Sequence, residues 1–437
     1  LCGKIRMHTS ARLHIPADEA FLPLVTAFMD QAGEIYGLPE QETLSLHLAA
    51  EEIFLHVAHF VSPAEEVEIS CGSISRGVRS VFAFPADTLD LGALNLTASF
   101  SVDQEMDMQR LGLFLAARAV DHLKVERPRR DLVRLTMEKE KPYSLNESFS
   151  SPPPATRSAT DTRLAKADDM GQAAALIYRF HPHGPSPEAC KYPQRLVDMH
   201  RGGEMSAFVG HDSAGLLGGA LLWHWLSPQT VECYGPYLFG DGQGQDVAQA
   251  LVEALIGHLG RSSCISLVNH CPAGSLPPGY FQELGCLELG PERSLRPISI
   301  RMLKEDPGSL VWARPPLVDF LTSTYDRLAL PREIHNPEWT AELEPESVFF
   351  SQLSQMENAA WLHPEIIGRD MESSLEKHVH LFAERNVANV FVRLDLGQSA
   401  HCELIEPLSR LGFEPRLVIP YGGQGDLLIY QAGAGCF

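Results

Sequence analysis

The sequence predicts an α+β protein built from several domains, and three observations predict it. Helical spacing and strand alternation are interleaved along the whole chain. The strands come mostly as antiparallel hairpins, with one strand–turn–helix in the middle. A run of three prolines among small polar residues divides the chain near its first third. The chain has 437 residues, 44% hydrophobic and 21% charged, which suits two to four cored domains. Its formal net charge of -21 makes it a poor general binder of nucleic acid or anionic membrane.

Before the break, "EAFLPLVTAFMDQAGEIYG" spaces apolar residues as a helix does and stops at Gly37, a plausible C-cap. "QETLSLHLAAEEIFLHVAHFV" reads as a second helix. "EEVEISCGSISRGVRSVFAFP" alternates as a β-hairpin around Ser75–Gly77. "MQRLGLFLAARAVDHLKVER" reads as a third helix and "DLVRLTME" as a strand. The break itself, "NESFSSPPPATRSATD", excludes regular structure and reads as an interdomain linker over 146–161.

Beyond it, "TRLAKADDMGQAAALIYRF" is strand then helix, and "PQRLVDMHRGG" a short helix with a glycine stop. "MSAFVGHDSAGLLGGALLWHW" is a hairpin turning at Asp212–Gly215. "TVECYGPYLF" is a strand that runs into "GDGQGQDVAQALVEAL", a glycine-rich turn opening a helix. "CISLVNH" reads as a strand, "PPGYFQELG" as a short helix and "PISIRML" as a strand. In the last third, "RPPLVDFLTSTYDRLAL" is helical and "ESVFFSQLSQMENAAWLHPEIIG" a pair of strands. "DMESSLEKHVHLFAERN" is a helix, "ANVFVRLDL" a strand and "CELIEPLSRLG" a helix. "FEPRLVIP" and "DLLIYQ" close the chain as strands. The grammar strand, loop, helix ending in Leu-Gly, strand occurs in both the middle and last thirds, which reads as an internal repeat.

Nine cysteines are scattered without a C-x-x-C pair. That pattern fits reduced, buried thiols and no zinc site or disulfide framework. The longest apolar run, "AGLLGGALLWHWL", is too short to span a bilayer, and no signal peptide is evident. The expectation is a cytoplasmic protein with no membrane and no nucleic-acid partner.

The turn at Gly240–Ala248 offers backbone N–H groups at a helix N-terminus, an arrangement that suits an anion. Here the middle of the chain, 160–304, resembles the GNAT acetyltransferases. "TRLAKADDMGQAAALIYRF" looks like that family's first strand and helix. "GYFQELGCLEL" looks like its aromatic-aromatic-x-x-L-G-F segment. "QGQDVAQAL" lies where the family writes Q/R-x-x-G-x-G/A. The resemblance implies a GNAT domain over 162–304 whose loop Gln243, Gly244, Gln245, Asp246, Val247 and Ala248 holds the pyrophosphate of acetyl-CoA or another acyl-CoA. Gln243 and Ala248 keep the pattern, whereas Asp246 replaces its middle glycine. At an effective dielectric near 20, like unit charges at 4 Å repel by roughly 4 kcal/mol. An inward Asp246 therefore weakens binding, and an outward one leaves the amides free. Acyl transfer to an amine needs a base and an acid. Glu232, on the strand before the loop, is either that base or a solvated edge residue. Tyr280 stands one place before the family's usual acid, where Phe281 sits. His270 and the "HPH" at His181–His183 are further candidates.

The segment 305–437 resembles the C-terminal half of a second GNAT unit through "LIEPLSRLGFEPRLV" and "GGQGDLLIYQ". The turn at Gly368, Arg369 and Asp370 lacks the pyrophosphate signature, so no CoA is expected there.

Residues 1–145 resemble the anti-sigma-factor serine kinases of the GHKL ATPase fold, a Bergerat-type α/β sandwich. "LAAEEIFLHVAHF" looks like their L-A-x-E-E-x-x-x-N-x-x-x-H helix, and "MQRLGLFLAARAVDHLKVER" like their G-x-G-L-x-L helix and closing strand. Glu52 matches the family's activating glutamate. His56 replaces its magnesium-binding asparagine, and imidazole is a poor ligand for a hard ion. The adenine-recognising aspartate is missing from "VFAFPADTLDLG", and of the phosphate-covering glycines only Gly112 remains. These changes together argue against ATP with Mg²⁺ and against kinase activity. Two functions stay open. One is a regulatory protein that docks a protein partner through its N-terminal domain and binds acyl-CoA with its GNAT module. The other is an active acetyl-CoA-dependent N-acetyltransferase under N-terminal control.

Overall fold

The computed structural model describes residues 10–433 apart from 87–90, 99–104, 130, 146–152, 156–157, 183–185, 241–243, 271–275, 338–342 and 356. The chain is of the α+β class and divides into two compact units. The first comprises Leu1–Pro142, Ala341–Gln352 and Leu362–Leu381. The second comprises Tyr143–Thr340, Leu353–Trp361 and Phe382–Phe437.

In the first unit, β1 (Ala11–Pro16), β2 (Glu66–Ile74), β3 (Gly77–Pro85), β4 (His122–Arg129) and β5 (Leu132–Glu140) form one antiparallel sheet in the order β1-β2-β3-β5-β4. Helices α1 (Leu22–Ile35), α2 (Glu40–Phe60) and α3 (Glu105–Ala119) share its core. On α2, the buried Leu46, Ala49, Ala50, Ile53, Phe54 and Val57 recur at helical spacing, which gives the helix a single apolar face. They meet Ile69, Phe82, Leu135 and Val125 from alternate positions of the strands. Helix α1 ends before Gly37, whose φ of 81° is the left-handed conformation that glycine adopts freely.

The second unit opens with β6 (Asp161–Leu164), α4 (Ala167–Phe180), α5 (Pro193–Arg201), β7 (Ser206–His211), β8 (Leu217–Trp225), β9 (Thr230–Leu238), α6 (Gln245–Leu259), β10 (Ser266–Asn269), β11 (Gln282–Leu289) and β12 (Ser294–Met302). Its sheet runs β11-β12-β10-β9-β8-β7-β6. The pair β9/β10 is parallel, and the other adjacent pairs of this sheet are antiparallel. Strands β13 (Ser309–Trp312) and β14 (Arg332–His335) pair in parallel around α7 (Pro315–Leu328). Further along the chain, which returns to the first unit over Ala341–Gln352 and Leu362–Leu381, come β15 (Val348–Ser354), β16 (Ala359–Ile366), α8 (Met371–Glu384), β17 (Asn389–Asp395), α9 (Ile405–Arg410), β18 (Phe413–Ile419) and β19 (Leu427–Ala432). In the second unit β19 pairs antiparallel with both β17 and β18. Arg332, whose side chain is fully buried, ties this region together, 2.7 Å from Asp426 and 2.9 Å from Asp306, so its charge is not buried alone.

Several elements differ from the sequence reading. The third helix stops at Ala119, and "HLKVER" is strand β4, because Leu123 and Val125 alternate against β5. "FQELG" is not a helix. Residues 282–289 pair with β12 as β11, and two of the helix's supposed interior residues, Gly279 and Pro278, sit in the turn before it. The helix of "CELIEPLSRLG" is six residues long and follows a 3-10 turn. Strands β1, β13 and β14 carried no recognised pattern. Of the proposed linker, Ala155 is buried and its N–H donates to Leu217 O at 2.8 Å.

Candidate active site

The glycine-rich turn opens where β9 ends. Gly240 has φ +85° and packs against the Ala155 carbonyl, 2.6 Å from where a Cβ would stand. Gln243 lies outside the described residues. Gly244 caps α6 in an extended conformation, and a Cβ there would meet open space. Its carbonyl accepts from Val247 N at 3.1 Å and Ala248 N at 3.3 Å. Val247 and Ala248 are buried in the core beneath the helix, while Gln245 and Asp246 are exposed. The first-turn N–H groups of Gln245 and Asp246 therefore head a helix start that faces open space. An anion needs such donors and room for its oxygens, and this helix start offers both. Asp246 points to solvent and stands in the helix's first turn.

The ladder between β9 and β10 runs from Thr230↔Ser266 to Cys233↔Asn269. Strand β9 continues to Leu238 in its pairing with β8. The two parallel strands thus part company at the end where α6 begins. In α/β sheets that divergence is where a crevice forms.

Glu232 sits one residue before that point. It is 5% exposed, so the solvated reading of this residue is corrected. Its two carboxylate oxygens face two imidazoles. His224 Nε2 is 3.2 Å from Oε2, and His270 Nε2 is 3.2 Å from Oε1. Register explains the meeting. His224 on β8 is the cross-strand partner of Glu232, and His270 follows Asn269, which pairs with Cys233. Burial alone would raise the Glu232 pKa, but the charges and hydrogen bonds of His270 and His224 hold it well below the usual carboxylate range. Burial works against the His224 imidazolium, yet its hydrogen bond to Glu232 outweighs that and raises its pKa.

Tyr234, two residues along β9, stacks on both imidazoles. Its ring lies 5.0 Å from His270 at 11° and 6.0 Å from His224 at 18°. Burial and the charge of Glu232 push its phenol up, so it stays neutral. Arg393 on β17 adds positive charge beside His224 and Tyr234 and stacks over Trp361, 4.3 Å from the ring centroid. Sequence reasoning missed His224, Tyr234, Arg393 and Trp361. The one local signal was the pair of aromatic residues around His224 in "WHW", which marks a strand and nothing about its neighbour.

Tyr280 does not join this cluster. Its hydroxyl bonds Glu253 on α6, and Arg301 lies over its ring at 5.7 Å. His181 bonds Leu238 O at 3.1 Å and packs on Tyr237 at the end of β9; His183 lies outside the described residues. Among the described residues, no group of three or more His, Cys, Asp or Glu is arranged to hold a metal ion. The cysteines of this unit at 190, 233, 264 and 402 are buried thiols.

In the first unit, Glu52 and Gly112 do meet. The Glu52 carboxylate covers the Gly112 backbone so closely that a Cβ there would overlap it. Burial, with Glu51 nearby, raises the Glu52 pKa. His56 is 1% exposed, with its ring 4.7 Å from that of Phe60.

No protein-family model matches the chain, and no curated protein matches it. Among solved structures, an aminoglycoside 6'-acetyltransferase type Ii is 11% identical, aligning over 34% of this chain and 100% of its own with a TM-score of 0.28. A GNAT family N-acetyltransferase from Escherichia coli, solved with CoA, is 19% identical over 36% of this chain and 86% of its own, with a TM-score of 0.27. A putative acetyltransferase from Acinetobacter baylyi ADP1 is 17% identical over 33% of this chain and 94% of its own, with a TM-score of 0.26. About a third of the chain is thus similar to solved acetyltransferases.

Proposed function

We propose that the second unit is an acyl-CoA-binding module of GNAT type, and that the chain is a regulatory protein built around it. One observation carries the reading. The sheet's parallel pair β9/β10 is joined by α6, and the ladder ends where the helix begins, next to buried Glu232. The first-turn amides of α6 would hold the pyrophosphate, and a bound acyl-CoA would supply the thioester.

The alternative, an active N-acyltransferase, is favoured by the histidine pair. Glu232 is held ionised, so it orients imidazoles rather than taking protons near neutrality. His270 keeps Nε2 on Glu232, leaving Nδ1 to accept a proton from an amine. His224 shares the carboxylate, and Tyr234 keeps the two rings parallel. Tyr280 is occupied by Glu253 and is not assigned the proton for the leaving thiolate.

For the first unit, the kinase-like reading keeps its regulatory form. Glu52 fills the space over Gly112 and His56 belongs to the apolar core, an arrangement that supports a protein-docking module without nucleotide. Calorimetric titration with acetyl-CoA tests the main reading. Binding at micromolar to sub-millimolar ligand is expected, and absence of heat at millimolar ligand refutes it. Thiol release with a panel of amines decides between sensor and enzyme. ATP with Mg²⁺ is expected to leave the melting temperature unchanged, and a shift of several degrees would restore a nucleotide site.

A further inference from the structure

A cavity lies within the first unit. It encloses about 790 Å³, inside the range of roughly 300–1,000 Å³ typical of small-molecule sites. Helices α1, α2 and α3 cover one face of the sheet, and this cavity is on the other. Alternation puts Ser70, Val81, Ala83 and Thr136 on that face as a floor of small side chains. The chain leaves this unit at Pro142 and returns to it at Ala341, and Phe350, His363 and Glu365 from β15 and β16 form an end wall.

Most charges around the floor are already paired. Arg79 and Arg76 hold Glu138, and Lys124 holds Glu126 at 2.8 Å. Two are not. Arg134 is exposed on β5 and makes no hydrogen bond or ion pair among the described residues, although Glu126 is its cross-strand neighbour. Glu365 is half-buried beside Phe350 and makes no hydrogen bond or ion pair among the described residues. Burial pushes its carboxyl up to about 7, with Lys124 opposing and Glu126 reinforcing the rise. A smaller cavity of about 70 Å³ adjoins it, bringing Arg118 and Asp121 near the same carboxyl.

We propose that this trough binds a zwitterion bearing an ammonium and a carboxylate, of dipeptide size, with the ammonium on Glu365 against the Phe350 ring and the carboxylate on Arg134. An unpaired carboxylate at an aromatic ring suits a cation. An unpaired guanidinium suits a planar carboxylate. The neutral floor between them accepts a short backbone.

The probe is glycyl-phenylalanine, titrated into the full chain by calorimetry above and below pH 7. Binding is expected to tighten as the pH rises through about 7, where the Glu365 carboxyl ionises; His363 and His122 also line the trough. N-acetylating the dipeptide, or amidating its carboxylate, is expected to weaken binding by about tenfold or more. Glu365→Gln should abolish the penalty for N-acetylation alone, and Arg134→Gln the penalty for amidation alone. Both variants are checked for an unchanged melting temperature. Free phenylalanine binding as tightly as the dipeptide would make an amino acid the source of the two charges, and weaker binding would make it a peptide. Silence of the unmodified chain at millimolar dipeptide, or equal binding of the blocked analogues, overturns the proposal.

Discussion

Glu232 is the residue on which the site turns. A carboxylate in the interior costs several kcal/mol unless partners compensate, and here two imidazoles do. Glu232→Gln is expected to lower stability by about 3 kcal/mol near pH 6, because it leaves two histidines around a neutral amide. His224 has a folded pKa raised above its ordinary 6.5. Its contribution is full below 6.5 and fades as the pH rises through the folded value. Glu232 is depressed below its ordinary 4.5, so its contribution is present above 4.5 and fades as the pH falls through its folded value. Urea melts of both proteins should differ most between about pH 4.5 and 6.5 and converge at alkaline pH. An equal difference at pH 9 would mean that the imidazole charge is irrelevant. Asp246 gives a second residue-scale test. It is exposed in the first turn of α6, where solvent screens it. Asp246→Asn is therefore expected to tighten acetyl-CoA binding by only about threefold, and by less in high salt. A hundredfold gain would place the carboxylate on the phosphates.

Among the elements, α6 was legible from its residues. Val247, Ala248, Leu251, Val252, Leu255 and Leu259 recur at helical spacing and are its buried face. Strand β11 was not, because Leu284 and Leu287 suit either period and its pairing with β12 settles the matter. Tyr280 was a candidate acid through its place in the family's aromatic segment, whereas in the turn before β11 its hydroxyl bonds Glu253. Tyr280→Phe is accordingly expected to keep acyl transfer within about twofold of the parent rate, measured by thiol release. A loss of a hundredfold or more would return the acid role to this hydroxyl.

Across the whole molecule, the first unit is discontinuous in sequence. Val348 and Ile366 belong to its core. Buried Asn95 donates to Ser347 O at 2.7 Å and accepts from Phe349 N at 2.8 Å. Residues 1–142 expressed alone are expected to be less stable than the same unit in the full chain by about 5 kcal/mol. Two buried aliphatic side chains and a satisfied buried amide are worth roughly that much. Identical urea midpoints for this unit in the fragment and in the full chain would contradict that. The sequence by itself determined the α+β class, most helices and strands, and the buried face of α6. Those depend on local periodicity, which each segment carries in its own side chains. Only the tertiary structure decided that Glu232 is buried between two imidazoles, that Asp246 faces solvent and that a late segment walls a cavity in the first unit. Each of these depends on register and desolvation between residues far apart in the chain, and spacing along a sequence does not encode the distance at which two charges meet.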